Sequence, residues 1–413
     1  YHGGILCQFQ ERWAKHQVVN VQYGRGDKAK KNPNTGESVA GPVTLSDEEL
    51  AKNRINPYED LKLHPFDDAW HRSRSADLSK VKTPLLTCAN WGGQGLHPRG
   101  NFEGYVRAAS KDKWLEAHGN THWAHFYSRY GETLQKRFFA HFLKGEDNGW
   151  NHQPRVQLQV RHVDRFVERH ENEWPIARTQ WTRFYLEPNT KALQTVKPAA
   201  GAAISYDPMG EGLTFLTPPL TEEIEITGPV AAKLFVSSKS TDADLFLVLR
   251  VFRPDGKEVV FQGSNDPRTP VGIGWLRASH RKLDAEKSLP YRPYHAHNER
   301  LWLKKDEPVE CDIEIWPTSI VIKKGPFTPL IDTFALPAML FALAGNLSQI
   351  VDIIRDRPDG FGVLSGDDGL TLAVMAHGGD GLISVISNVV PRQCAQLCEA
   401  MAAGDLELAR RID

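Results

Sequence analysis

The spacing of apolar residues changes character three times along the 413 residues, and each change marks a segment. Up to about Ser79 no period is sustained. The stretch is polar and mixed, with short helical pieces such as Leu45–Leu50, where Ser46 is placed to cap and Glu49 to return the bond three residues on. A layer without a core pattern of its own needs another element to lie on. Pro84 to Ala89 is then a continuous apolar run, as in a parallel strand covered on both faces, and Asn90-Trp91-Gly92-Gly93-Gln94-Gly95 ends it in a glycine turn. Asn101 to Ser110 can form a helix and Lys113 to Ala117 a second strand, which closes at His118-Gly119-Asn120-Thr121-His122-Trp123. Leu134, Phe138 and Phe142 fall at i, i+4 and i+8 before Gly145, giving one buried helix face and its stop. Strand, loop, helix, repeated, predicts the closing part of a doubly wound sheet.

From Pro154 the period falls to two. Val156–Val160 alternates strictly, and Ile224–Ile226, Lys233–Val236, Leu245–Phe252, Val259–Phe261 and Ile313–Ile315 continue in strands punctuated by turns such as Pro254-Asp255-Gly256. This predicts an all-β sandwich of jelly-roll type over 150–325. After Gly325 the texture returns to βα units. Leu347–Ile354, Gly369–Ala376 and Pro391–Ala402 read as helices, with Gly362–Ser365 and Gly381–Ile386 as strands. So short a tail cannot close a barrel by itself. The fold class expected is α/β plus all-β, with segments 1–149 (1–79 forming a cap-like layer), 150–325 and 326–413.

Composition narrows the function classes. A formal net charge of -1 and a pI near 7.0 give no global attraction to nucleic acid or to an acidic membrane, so neither is expected as a partner. Five cysteines without a CxxC point to reduced thiols and a cytoplasmic setting, and Cys394 and Cys398, one helical turn apart, to packing. The most apolar run, Phe334–Ala344, is too short to span a bilayer.

The chemistry gathers at His118, His122 and His125. An HxxxHxxH pattern would ligate zinc if helical, but Gly119-Asn120-Thr121 argues for a loop, so no metal and no cofactor is expected. A histidine just past a strand end suits the general base of a triad, with a satisfied structural histidine as the alternative; His122 is the candidate, and His118 the structural one. An orienting acid belongs on the loop after the preceding strand, yet NWGGQG carries none. Glu103 is the closest acidic candidate, a surface glutamate being the plainer reading, and Asp67 or Asp68 could approach in space. No GxSxG occurs in the sequence. The aromatics Trp275, Trp302 and Trp316 could line a ligand face of the sandwich, with core packing the plainer reading.

The motifs HPFDDAWHRSRS, TPLLTCANWGGQGLHPRGNFEGY, HGNTHW, LQKRFFAHFLKGEDNG and LTEEIEITGPVAAKLFVSS, in that order, resemble the CocE/NonD serine hydrolases related to X-Pro dipeptidyl-peptidases. The resemblance covers residues 1 to about 325. It implies the C-terminal part of an α/β-hydrolase with a cap and a jelly roll, cleaving small-molecule esters or amides through an acyl-enzyme. His122 matches the family's catalytic histidine and Trp91 the tryptophan before its acid, whereas Gly93 stands at the acid itself. The family's serine and oxyanion tyrosine have no counterpart, so the chain is expected to lack its front half, to be inactive alone, and to self-associate through the unpaired sheet edge. From about Ala344 the sequence resembles the last third of a dihydrodipicolinate-synthase-like aldolase. Ser365-Gly366-Asp367-Asp368 and Asn388 match positions of that family, but Phe341 stands where its Schiff-base lysine belongs.

Overall fold

A computed structural model describes residues 2–208, 210, 212–253, 255–324, 330–334, 354, 364–365, 371–382 and 391–412. It divides into two units, 1–336 and 337–413. The first unit has mixed α/β architecture with more than one sheet. The helices that precede the first sheet include α1 (Asp47–Lys52), α2 (Pro57–Leu63) and α3 (Ala69–Arg74). Ser46 and Glu49 form the expected reciprocal cap of α1. This layer does lie on another part of the chain. The Asp67 N–H donates to the His297 carbonyl at 2.8 Å, Phe66 stacks on His280, and His2 stacks on Trp275 with centroids 4.7 Å apart.

The first sheet has the order β1-β2-β3-β4, formed by β1 (Leu85–Asn90), β2 (Lys113–His118), β3 (Val156–Arg161) and β4 (Phe166–Glu171). β1, β2 and β3 run parallel and β4 antiparallel to β3. Helix α4 (Pro98–Arg107) connects β1 to β2, starting three residues earlier than the sequence suggests because Pro98 has no N–H to lose at the first turn. After β2 come α5 (His122–Phe126) and α6 (Arg129–Lys144), the latter closed by Gly145 at φ +70°. Leu134 and Phe138 of α6 are buried against Trp114 and Trp150, as the stripe requires, while Phe139 is exposed.

One expectation about this sheet fails. The alternating run Val156–Val160 does not open the sandwich; it pairs with β2 through Leu115↔Val156 and closes the parallel sheet. Alternation signals a half-exposed strand, but here Val156, Gln157, Leu158, Val160 and Arg161 are all buried. The polar residues of the run are used for bonding: Gln157 and Gln159 reach Glu168 and the Gly119 N–H, and Arg161 crosses to the second sheet.

The second sheet has the order β5-β6-β7-β12-β9-β10-β11-β8. Its strands are β5 (Tyr185–Glu187), β6 (Ala192–Gln194), β7 (Leu213–Leu216), β8 (Ile224–Val236), β9 (Asp244–Val251), β10 (Gly272–Arg277), β11 (Val309–Ile322) and β12 (Leu330–Phe334). β9 alternates buried and half-buried residues as its sequence predicts. Ile224–Ile226 and Lys233–Val236 are not two strands but the ends of β8, continuous through Gly228 and Pro229. Opposite them the register of β11 shifts between Ile315 and Thr318, at Trp316-Pro317, where proline has no N–H to give the ladder. Val259–Phe261 makes only an isolated bridge, Phe261↔Thr269. Leu247, Val251, Val271, Leu276, Ile313 and Ile320 form the core on one face.

In the second unit, β13 (Leu364–Ser365) pairs parallel with β14 (Gly381–Leu382), joined through α7 (Thr371–Ala376). Helices α8 (Pro391–Ala402) and α9 (Leu406–Ile412) follow, turned at Gly404 with φ +75° and packed through Leu397, Ala400 and Ala409. Cys394 and Cys398 lie half-buried on α8, and none of the five cysteines is in a disulfide. The helix expected over 347–353 and the positions Phe341, Gly366, Asp367, Asp368 and Asn388 lie outside the described residues. Among the described residues no helix is long and apolar enough to cross a membrane.

Candidate active site

The carboxyl ends of parallel strands are where α/β proteins place reacting groups. Register sets Asn90 beside His118 at those ends of β1 and β2. Past them, Asn120 takes a left-handed turn at φ +58°, Thr121 caps α5 by accepting from the Ala124 N–H, and His122 becomes the first residue of that helix. The β1 loop is anchored by Trp91, which is fully buried, donates from Nε1 to the Gln159 carbonyl at 2.9 Å and stacks on Phe102.

His122 Nδ1 lies 2.8 Å from the Ser264 hydroxyl, and the His122 backbone N–H points to the same oxygen at 3.4 Å. Ser264 belongs to the loop between β9 and β10. Its N–H donates to the Gly92 carbonyl at 3.0 Å, and its Oγ stands 3.5 Å from Asn90 Oδ1. His97 meets the His122 ring edge-on at 5.0 Å. Burial first, and then the neighbouring His97 and His118, hold the His122 imidazole below its usual range, which favours the neutral form. Among the described residues Nε2 of His122 makes no hydrogen bond.

The two loops approach so closely that neither tolerates a side chain at its glycine. A Cβ at Gly92 would collide with the Asn120 carbonyl and sit 2.7 Å from that of Gln262; one at Gly263 would meet Thr269 Oγ1 and the Gly92 carbonyl. Gly92→Ala should therefore cost roughly 2 kcal/mol, because backbone on both sides has to move. The midpoint of urea unfolding measures the cost, and loss of the Ser264–His122 contact should accompany it.

The structure separates the three histidines. His118 and His125 stack at 4.4 Å, and both turn to Glu116, whose Oε2 is 2.8 Å from His118 Nδ1 and whose Oε1 is 3.5 Å from His125 Nε2. Burial pushes the Glu116 carboxyl up, but the bonds from the two imidazoles outweigh it and the net shift is down. His122 is outside this group: the described residues that bring ligand atoms within 4.8 Å of one another are Glu116, His118 and His125. The sequence signal for this cluster is a lone carboxylate inside the apolar strand KWLEAH.

The acidic candidates go elsewhere. Glu103 pairs with Arg292 and lies 3.9 Å from Arg107. With Arg99 on Glu314 at 2.8 Å, it docks α4 onto the second sheet. No hydrogen bond or ion pair joins it to His122 among the described residues. Asp68 caps α3 and holds His64 Nδ1 at 2.5 Å, and Asp67 ties the first layer to His297. Trp275 and Trp316 pack edge to face at 5.2 Å beneath His2, whereas Trp302 is exposed with Arg300 over its ring. Ser264 was not legible in the sequence: it lies 142 residues from His122, in a turn indistinguishable from any other.

Known proteins resemble different parts of the chain. Residues 148–326 match the X-Pro dipeptidyl-peptidase C-terminal non-catalytic domain, and residues 340–413 the dihydrodipicolinate synthetase family. A CocE/NonD family hydrolase from Staphylococcus aureus superposes with a TM-score of 0.68 at 33% identity, covering 80% of this chain and 56% of that one. An aminopeptidase from a marine sediment Thaumarchaeota archaeon shares the fold, with a TM-score of 0.52 at 15% identity over 70% of this chain and 55% of that one. A 4-hydroxy-tetrahydrodipicolinate synthase from Pelodictyon phaeoclathratiforme is 33% identical over 184 residues, which are 42% of this chain and 62% of that protein. The chain thus spans less than two thirds of the length of each of these three. It combines a CocE/NonD-hydrolase-like body, containing an X-Pro dipeptidyl-peptidase-type C-terminal domain, with a dihydrodipicolinate-synthetase-like tail.

Proposed function

We propose that residues 1–336 form the histidine-bearing part of a serine hydrolase acting on small esters or amides, of acyl or X-Pro dipeptidyl type, with His122 as general base. The observation that carries this is the position of His122 beyond the end of β2, with Nδ1 held by a hydroxyl at 2.8 Å and Nε2 without a hydrogen bond among the described residues. In that state Nε2 takes the proton of an attacking serine hydroxyl as its oxygen adds to the substrate carbonyl. The same proton passes to the departing alcohol or amine, and water then releases the acyl group by the reverse exchange. No metal, cofactor, nucleic acid or membrane takes part. The second sheet serves as a face of a jelly-roll module. The tail, a partial barrel, performs no Schiff-base chemistry, since Phe341 cannot form an imine.

With no GxSxG among the 413 residues, the serine must come from a further segment, and this chain alone should neither react with a fluorophosphonate probe nor turn over a p-nitrophenyl ester. Co-expression with the portion of the Staphylococcus aureus hydrolase outside the structural match should restore both. His122→Ala should then abolish turnover. Restored turnover that survives His122→Ala, or labelling of this chain by itself, would overturn the assignment.

A further inference from the structure

Every triad histidine needs a partner that fixes which nitrogen carries the proton, and among the described residues no carboxylate bonds to His122. The geometry points to Ser264, backed by Asn90, as the positioning residue that holds His122 in its Nδ1–H tautomer. This rests on the hydrolase reading for its purpose, though not for its detection.

The direction of each hydrogen follows from groups whose roles are fixed. Asn90 Nδ2 faces three carbonyl oxygens, those of His118, Gly119 and Asn120, at 3.4, 3.0 and 2.6 Å. Carbonyls only accept, so the amide nitrogen must be on that side and Oδ1 on the other, toward Ser264 Oγ at 3.5 Å. The backbone N–H of His122 can only donate, and it points at the same Oγ. A lone pair of Ser264 therefore faces His122, and its single hydrogen is free for Asn90 Oδ1. With that hydrogen on Asn90 Oδ1, His122 Nδ1, 2.8 Å away, is the donor and is protonated, which leaves the lone pair on Nε2.

Position 93 explains why a hydroxyl stands here. Gly93 falls where the resembled family has its acid, and a Cβ there would lie 3.3 Å from Asn90 Oδ1 and 3.2 Å from the Pro98 ring. The missing side chain leaves Asn90 Oδ1 open to the loop of the second sheet, and the Ser264 N–H bond to Gly92 sets the hydroxyl in that place. A hydroxyl fixes the tautomer as a carboxylate does, but it does not balance the charge of an imidazolium, and the nearest ionisable neighbours, His97 and His118, only oppose that charge.

The test reads the tautomer directly, on the full chain labelled with 15N-histidine, by long-range 1H–15N correlation. Wild-type His122 should show Nδ1–H. Ser264→Ala should lower the Nδ1–H to Nε2–H ratio about tenfold, the worth of one hydrogen bond, whereas Ser264→Thr, which keeps the hydroxyl, should preserve it and report that the loop is still folded. Gly93→Asp in the Ser264→Ala background should restore Nδ1–H and raise the His122 titration midpoint. An unchanged tautomer in Ser264→Ala, or fluorophosphonate capture on Ser264 itself, would overturn the assignment. None of these readouts needs turnover, so they can succeed or fail apart from the restored-activity assay.

Discussion

Replacing Arg161 by alanine should lower the stability of the first unit by about 3 kcal/mol, and the balance of terms decides the sign. Arg161 ends β3 and is fully buried, and among the described residues no carboxylate pairs with it. Its Nε donates to the Ser319 carbonyl at 2.6 Å, and its Nη2 to the Val271 carbonyl at 2.7 Å and Thr318 Oγ1 at 2.5 Å; the guanidinium also lies over Phe261 at 4.5 Å. Burial pushes its pKa down to about 9, so the charge is held at a cost of several kcal/mol. Against that stand three hydrogen bonds from a charged donor, roughly 2 kcal/mol each, and a side-chain-sized cavity of a further 2 to 3 kcal/mol. Alanine relieves the first and forfeits the others, including the partner of the Ser319 carbonyl next to the β11 bulge. Arg161→Met fills the space without the charge and should lose less than half as much. Urea titrations of both variants at neutral pH check the order; equal losses would show that the hydrogen bonds to the bulge, and not the cavity, dominate.

Acid should weaken the same unit before its carboxylates protonate. His295 and His297 lie among buried groups between the first layer and the second sheet, with burial as the main cause of pKa values lowered to about 4 and about 3. His295 Nε2 is 2.9 Å from the Asp312 carbonyl, and His297 Nδ1 is 3.0 Å from His280 Nδ1. For His297 the neighbouring His295 and His280 oppose protonation, and Arg99 opposes it for both residues. The unfolded chain binds these protons near pH 6.5 and the folded chain does not. Stability is therefore full above pH 6.5 and declines as pH falls from there toward 4. At pH 5 each histidine accounts for about 2 kcal/mol, at 1.4 kcal/mol per pH unit. Unfolding midpoints at pH 7.5 and pH 5 should differ accordingly, and His295→Gln should flatten the difference. A flat profile down to pH 5 would mean that this cluster opens to solvent. Depressed carboxylates such as Glu171, paired with Arg178, act only below their own range, near pH 4 and under.

Local pattern alone specified a good part of this protein. Unbroken apolar runs ended by glycine loops mark β1 and β2, the i, i+4, i+8 stripe marks α6, Ser46 and Glu49 mark a helix start, and His122 is placed past a strand end; each depends on residues within about one turn or strand of each other. The ordered motifs also carried both family resemblances. Tertiary structure decided what depends on distant partners. β3 reads as a half-exposed strand because sequence shows polar residues but not that Gln157, Gln159 and Arg161 find bonds inside. β8 reads as two strands because the shift at Trp316-Pro317, which lets it run on, lies on another strand. Glu103 reads as a possible acid because Arg292 is nowhere near it in sequence. Ser264 was invisible for the same reason: its meaning comes from a lone pair turned toward a histidine 142 positions away, a relation that only folding the second sheet against the first creates.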